Sequence, residues 1–246
     1  MQTFQKGIFQ DIPSQGLYVS YQLADLSAVP ASLRVLRDSA DGENCVLGIG
    51  ESLVSALGRA VPGLRAGFHI ANAQVALPQQ AIALWLWLRG DDRGSLLLAE
   101  RQWTQRLQPA FQRQHRIEAF RFADGRDLTG YRDGTENPEG KAALDAAFIQ
   151  ADEPSIVGSS FAAIQQWQHQ FDRFESLSSA AQDHAIGRRR SDDEELEDAP
   201  ESAHVKRTAQ EDFSPEAFLL RRSMPWSAGS QAGLMFVAFG HSFDPF

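Results

Sequence analysis

Over its first half the chain switches between two hydrophobic periods, the alternation of a strand and the three-or-four spacing of a helix, and few folds accept the order in which they arrive. Residues 16–24 (GLYVSYQLA) are rich in β-branched, aromatic and leucine side chains and predict a strand. Residues 25–37 follow with Leu26, Val29, Leu33 and Leu36 at the spacing of one helix face. Residues 44–50 (NCVLGIG) predict a second strand, and residues 82–88 (IALWLWL) a third that sets Trp85 and Trp87 on one face and Leu84, Leu86 and Leu88 on the other. A strand apolar on both faces implies a buried sheet. Residues 95–111 carry Leu96, Ala99, Trp103, Leu107 and Ala110 at helical spacing, with Pro109 expected to end or bend that helix. Residues 115–122 (HRIEAFRF) alternate again and predict a fourth strand. The order is βαββαβ, the split unit of ferredoxin-like α+β folds.

A loop-rich stretch, residues 123–152, separates this set from a second one. There residues 160–168 (SFAAIQQWQ) predict a strand, 172–186 a helix and 233–239 (GLMFVAF) a strongly apolar strand. The expected architecture is α+β, with two ferredoxin-like halves packed together over residues 1–124 and 125–246. The second half is short of a closing helix and strand, so Phe246 looks like a cut end: either the chain is a truncation of a longer product or the second half closes differently. Residues 188–198 (RRRSDDEELED) run three bases into six acids, a pattern usual in solvated loops.

Composition narrows the function. The longest unbroken apolar run, residues 81–88, is far short of the roughly 20 residues a bilayer-spanning helix needs, so no membrane partner is expected. The N-terminal MQTFQKGIFQ has neither the apolar core nor the cleavage site of a secretory signal, and the expected compartment is the cytoplasm. Cys45, the single cysteine, cannot form an internal disulfide or a multi-cysteine metal site and is expected as a buried strand residue. A formal net charge of −9 argues against nucleic acid, whose phosphates need a basic surface. The expected partner is a small molecule.

Three stretches could carry chemistry on it. GYRDGTENP, residues 130–138, brackets Asp133 with two glycines and ends on an Asn-Pro turn starter, which makes a tight loop that presents a carboxylate. Taken alone, Asp-Gly is equally a plain turn. Six histidines are available: His115 and His169 lie in strand-like sequence, His69 and His241 in apolar context, and His184 in a helix. His204 stands apart in ESAHV, after the acidic run. No HExxH pattern or close histidine pair supports a multi-histidine metal site. A haem needs only one, because the porphyrin supplies four nitrogen ligands. LLRRSMPW, residues 219–226, places two adjacent arginines on opposite faces of an extended segment. The inward one forms either a structural salt bridge or, with a carboxylate over an iron, an acid/base pair with charge stabilisation. Trp167, Trp226 and Tyr131 are oxidisable, and are expected as core or pocket-wall aromatics.

Together these stretches resemble the dye-decolorising peroxidase family, and its B-type members in particular. GYRDGTENP looks like the family's GxxDG motif, with Asp133 at the distal aspartate. ESAHV matches the segment of the proximal haem histidine, here His204, the one protein ligand to the metal. LLRRSMPW resembles the segment of the distal arginine, matched by Arg221, with Ser223 where some members have asparagine. IGR, ending at Arg188, is similar to a segment that meets a haem propionate. The resemblance implies two ferredoxin-like halves with haem b (iron protoporphyrin IX) held mainly by the second. It implies a peroxidase that reduces hydrogen peroxide and oxidises dyes or phenol-like donors by one-electron steps, in a homo-oligomer. Asp133, Arg221 and Ser223 would be the catalytic residues, and Thr135, Glu136 and Asn137 would run beside the haem. Family members continue past the VAFGHS-like strand with a helix, and that part can supply a carboxylate to the proximal histidine. The rival reading is a haem-handling protein, a carrier, store or iron-releasing enzyme, using the same pocket. It has no need of both Asp133 and Arg221.

Overall fold

A computed structural model describes residues 4–67, 78–150 and 155–246; His69 lies outside the described residues. The chain forms two compact units, Met1–Glu118 and Ala119–Phe246, so the division falls slightly before the one expected at 124.

In the first unit a short helix α1 (Lys6–Phe9) precedes strand β1 (Gln15–Leu23). Asp25 accepts the Ser27 N–H at 2.8 Å and starts one 3-10 turn, from which helix α2 (Val29–Ser39) runs on with proline in its first turn. Strand β2 (Cys45–Ile49), helix α3 (Glu51–Ala56) and strand β3 (Leu84–Gly90) follow. Helix α4 (Arg93–Leu107) begins two residues before its expected start because Asp92 caps it, accepting the Ser95 N–H at 2.7 Å. It ends short of Pro109, and strand β4 (Phe111–Phe120) starts where the helix was expected to finish.

The sheet order is β2–β3–β1–β4, with the third strand between the first and second. Leu17, Val19 and Tyr21 of β1 and Leu84, Leu86 and Leu88 of β3 join Leu36, Leu53, Trp103 and Leu107 in one core. Each such fully buried side chain contributes about 1.5–3 kcal/mol. The other face of β3 is buried too: Tyr18 stacks on Trp85 and Trp87 at centroid distances of 5.9 and 5.8 Å, with the Arg89 guanidinium 4.7 Å from the Trp87 ring. Cys45 is buried, and the protein around it pushes its thiol up to about 12.

The second unit repeats the grammar with more interruptions. Helix α5 (Gly140–Ala147) occupies part of the stretch expected as loop, and strand β5 (Phe161–Gln168) follows. The single helix expected over 172–186 is two, α6 (Phe171–Glu175) and α7 (Ser179–Ile186). Ser178 accepts the Ala181 N–H to restart the helix, while the buried Gln182 amide donates to the Phe174 and Leu177 carbonyls freed by the break. A one-turn helix α8 (His204–Arg207) leads to strands β6 (Leu220–Arg221), β7 (Met224–Ala228) and β8 (Gln231–Gly240). Gly229, with φ of 59°, turns the two-residue hairpin between β7 and β8.

Here the order is β7–β8–β5, with β6 also paired to β8. The last strand, β8, lies between β5 and β7 as β3 lies between β1 and β2, so both units have the ferredoxin-like α+β arrangement. Among the described residues no helix is long and apolar enough to cross a membrane.

Candidate functional site

Every residue singled out for chemistry lies in the second unit. The loop of GYRDGTENP is held by its backbone on both sides of Asp133. Gly130 and Gly134 take φ of 91° and 74°, a region other residues rarely enter, and the Asn137 N–H closes a turn onto the Gly134 carbonyl at 3.1 Å. The Asp133 N–H reaches the Gly125 carbonyl at 3.3 Å, and Arg126 Nη1 donates to the Gly130 carbonyl at 2.9 Å. Tyr131 is buried and donates to Asp183 Oδ1 at 2.6 Å, beneath the Arg190 guanidinium 4.8 Å from its ring. Burial and that bond push its phenol up to about 12, so Tyr131 is neutral and acts as a wall of the loop. The carboxylate of Asp133 itself is half-buried.

Asn137 ties this loop to the arginine. Its Oδ1 accepts the Arg221 N–H at 2.8 Å and its Nδ2 donates to the Arg221 carbonyl at 3.0 Å, so the amide pairs with Arg221 as a neighbouring strand would. This pairing occupies the Asn137 amide that had been expected beside the haem. Arg221 itself pairs with Ala238 of β8. Two residues on, Ser223 is almost fully buried, and neither its Oγ nor Arg221 Nε has a hydrogen-bond partner. Arg221 and Ser223 are spaced to share one side of an extended segment. Buried donors without acceptors are costly, so the pair is built to meet something.

His204 opens α8. The residue is exposed at the surface, with protein around the ring. That surrounding protein pushes its pKa down, the Arg221 charge adds to the effect and Asp133 opposes it. The lowered pKa favours the neutral imidazole, the form that binds metal. Arg221 and Asp133 are the charged groups that act on this ring. Three residues distant in sequence are thereby brought into one field.

Arg188 follows the C-terminus of α7. Its Nη2 is shared by the Glu136 carboxylate, at 2.5 Å, and the Glu195 carboxylate, and its Nη1 donates to the Asp193 carbonyl at 2.9 Å. Nε is buried and has no partner. Glu136 and Glu195 are more than half exposed, 54% and 59% at the side chain, so another carboxylate could replace either on Arg188. Thr135 is exposed.

The basic–acidic run is not merely a solvated loop. It folds back as a hairpin, with Arg188 bridging Glu195 and the Arg189 N–H donating to the Glu194 carbonyl at 2.9 Å. Asp193, at φ of 63°, meets Arg126 at 3.4 Å and Arg132 at 3.3 Å, and both arginines also reach Asp124. The partner Glu195 was not legible beforehand, because nothing in a run of like charges says which one pairs with Arg188.

The remaining histidines have other duties. His169 Nε2 lies 2.7 Å from Asp127 Oδ1, His184 rests on the Ala180 carbonyl and near Asp198, and His241 Nδ1 lies 3.2 Å from the Ala146 carbonyl. Trp226 is buried, whereas Trp167 departs from the expected wall role. It stands half exposed at the end of β5 with its Nε1 on Gln165.

Among the described residues no group of three or more His, Cys, Asp or Glu side chains is placed to hold a metal ion. His204 would therefore need a metal that arrives with most of its ligands. Haem meets that requirement, and the partnerless Arg188 Nε, Arg221 Nε and Ser223 Oγ are polar atoms of the kind its propionates and an iron-side ligand would satisfy.

Fold and site together define a class: a ferredoxin-like α+β protein with a single-histidine site under the charges of an arginine and a carboxylate. Residues 124–246 match the family model "Dyp-type peroxidase, C-terminal". The chain belongs to the Dyp-type peroxidase family. A dye-decolorizing peroxidase of Rhodococcus erythropolis is 34% identical over 145 residues, which are 58% of this chain and 42% of that protein; the match thus spans less than half of the relative's length. A Shewanella oneidensis chain assigned to the dyp-type peroxidases superposes with a TM-score of 0.87 at 25% identity, covering 100% of this chain and 85% of that one. A DypB variant of Rhodococcus jostii RHA1 in complex with heme gives 0.85 at 21% identity, over 95% and 82% of the two chains.

Proposed function

We propose that this chain is a haem b peroxidase of the B type, reducing hydrogen peroxide and oxidising dyes or phenol-like donors. The observation that carries the reading is that Arg221 Nε and Ser223 Oγ are buried and partnerless on one segment, with the Arg221 and Asp133 charges both felt at His204. His204 would bind the haem iron through a neutral ring nitrogen, and Arg188 would hold a propionate in exchange for an exposed glutamate. When bound, the haem supplies the redox chemistry, taking two oxidising equivalents from peroxide and passing them on one electron at a time.

The protein's own part is proton handling and charge. The Asp133 carboxylate accepts a proton from one peroxide oxygen and returns it to the oxygen that leaves as water. Arg221 stabilises the negative charge that develops as the O–O bond breaks, from a position fixed by Asn137 and β8. Ser223 Oγ offers a hydrogen bond to a water or to peroxide on the same side. The donor would be a small aromatic reductant, and the protein would act in the cytoplasm as a homo-oligomer.

The test is to load the purified chain with haem and measure peroxide-dependent oxidation of an anthraquinone dye. Saturable turnover that is lost in Arg221→Leu is expected. Haem binding without turnover in the wild type would instead assign the pocket to carriage or storage.

A further inference from the structure

Helix α7 ends on Gly187, which stands at the left-handed φ of 94° and whose N–H caps the helix on the Asp183 carbonyl at 2.6 Å. That conformation alone favours glycine. A second constraint is independent of it. A β-carbon built on Gly187 would lie 2.3 Å from Val205 Cγ2 and 3.2 Å from Ala203 Cβ, the residues on either side of His204. The first distance is far inside van der Waals contact, so something would have to move.

The geometry decides what moves. Gly187 is held at both ends, since its carbonyl also accepts the Leu196 N–H at 3.0 Å within the hairpin that carries Arg188. Ala203 is fully buried and its N–H is bound to the Pro200 carbonyl at 2.8 Å, so it cannot retreat on its own. The turn of α8 is a single one, fastened at its far end by the Thr208 N–H on the His204 carbonyl at 3.1 Å. A side chain at 187 would therefore lever the short turn with His204 in it.

We propose that Gly187 is the positioning residue for His204: its missing side chain is the seat on which the Ala203–Val205 turn rests, and it fixes the imidazole relative to Arg188, the next residue in the chain. One residue thus sets the spacing between the axial imidazole and the guanidinium offered to a propionate. This rests on the haem reading for its consequence, though not for its geometry.

The test uses Gly187→Ala, Val205→Ala and the double variant in the 246-residue chain. Two readouts are taken: the haem dissociation constant with the ferric absorbance spectrum, and the ring-nitrogen resonances of His204 by NMR without haem. Gly187→Ala should weaken haem binding about 10–100-fold, the usual cost of disturbing what orients a metal ligand, and shift the His204 resonances. Removing the opposing methyls in Gly187→Ala/Val205→Ala should recover most of both changes, while Val205→Ala alone leaves them near wild type.

Unchanged His204 resonances in a folded Gly187→Ala would overturn the proposal. So would a double variant no better than the single one, because the strained φ and not the contact would then be the cause. Should Gly187→Ala fail to fold, the double variant still decides: recovery of fold and resonances supports the seat, and failure rejects it. If the wild type binds no haem while the His204 resonances move and return as expected, the seat stands and the haem reading falls.

Discussion

At the residue scale, two distal groups carry unequal burdens. Arg221 presents a fixed charge in a place where water is scarce, and its Nε has no partner in the protein. Losing one preorganised stabilising donor typically costs on the order of 10²–10³ in rate. In the proposed reading Asp133 would move a proton, and an ordered water can carry part of that traffic when the carboxylate is gone. Arg221→Leu is therefore expected to slow the peroxide step more than Asp133→Asn, with haem bound in both, and stopped-flow mixing with peroxide measures the order. A larger loss in Asp133→Asn at equal haem occupancy would reverse the assignment of the dominant group. His204→Ala should remove the axial imidazole and with it most haem retention, seen as a lost or altered ferric spectrum. The same change at His184, which rests on a backbone carbonyl at the surface, should leave the spectrum alone.

At the element scale, the site depends on segments that bind one another's backbones. Asn137 joins the Asp133 loop to the end of β6 by two hydrogen bonds, each worth about 0.5–1.5 kcal/mol net. Asn137→Ala should lower stability by about 1–3 kcal/mol and reduce turnover while leaving haem affinity close to wild type, because it loosens Arg221 and not His204. Chemical denaturation, a haem titration and dye oxidation on one preparation separate the three effects. Equal loss of haem affinity and turnover would instead return Asn137 to the role expected from sequence, a haem contact. On the other side of the loop, Asp127 is pulled up by burial but pulled down further by hydrogen bonds from His169 and Thr129, leaving its carboxyl below the usual range.

At the scale of the whole molecule, several acids are held neutral by burial. Cys45 is raised from 9.0 to about 12, and Tyr21 and Tyr131 from 10.0 to about 12. For each, the folded pKa lies above the unfolded one, so the stabilisation is fully present below the unfolded value and is lost as pH climbs toward the folded value. The melting temperature should hold to about pH 9 and then fall steadily toward pH 12. Cys45→Ala, which removes the first group to titrate, should delay the onset toward about pH 10. Calorimetry across that range checks both statements, and an onset unmoved in Cys45→Ala would exclude the thiol as its source.

What the sequence determined by itself was everything that rests on local pattern or on residue chemistry. Short runs rich in apolar, aromatic and β-branched residues placed β1, β2, β3, β5 and β8 to within two residues, because such side chains suit a buried sheet. The resemblance of the GYRDGTENP, IGR, ESAHV and LLRRSMPW segments to the motifs of one family marked Asp133, Arg188, His204 and Arg221 as candidates. Only the tertiary structure decided how those residues are used. That Asn137 clamps a backbone 84 residues away, that Glu136 and Glu195 share Arg188, that an acidic run closes as a hairpin, and that Gly187 packs against Ala203 and Val205 as well as ending a helix are facts about pairs. A hydrogen-bond donor or a missing methyl has the same local signature whatever it faces. Which partner it meets is set by the packing of segments far apart in the chain, and that packing is specified by the whole sequence at once.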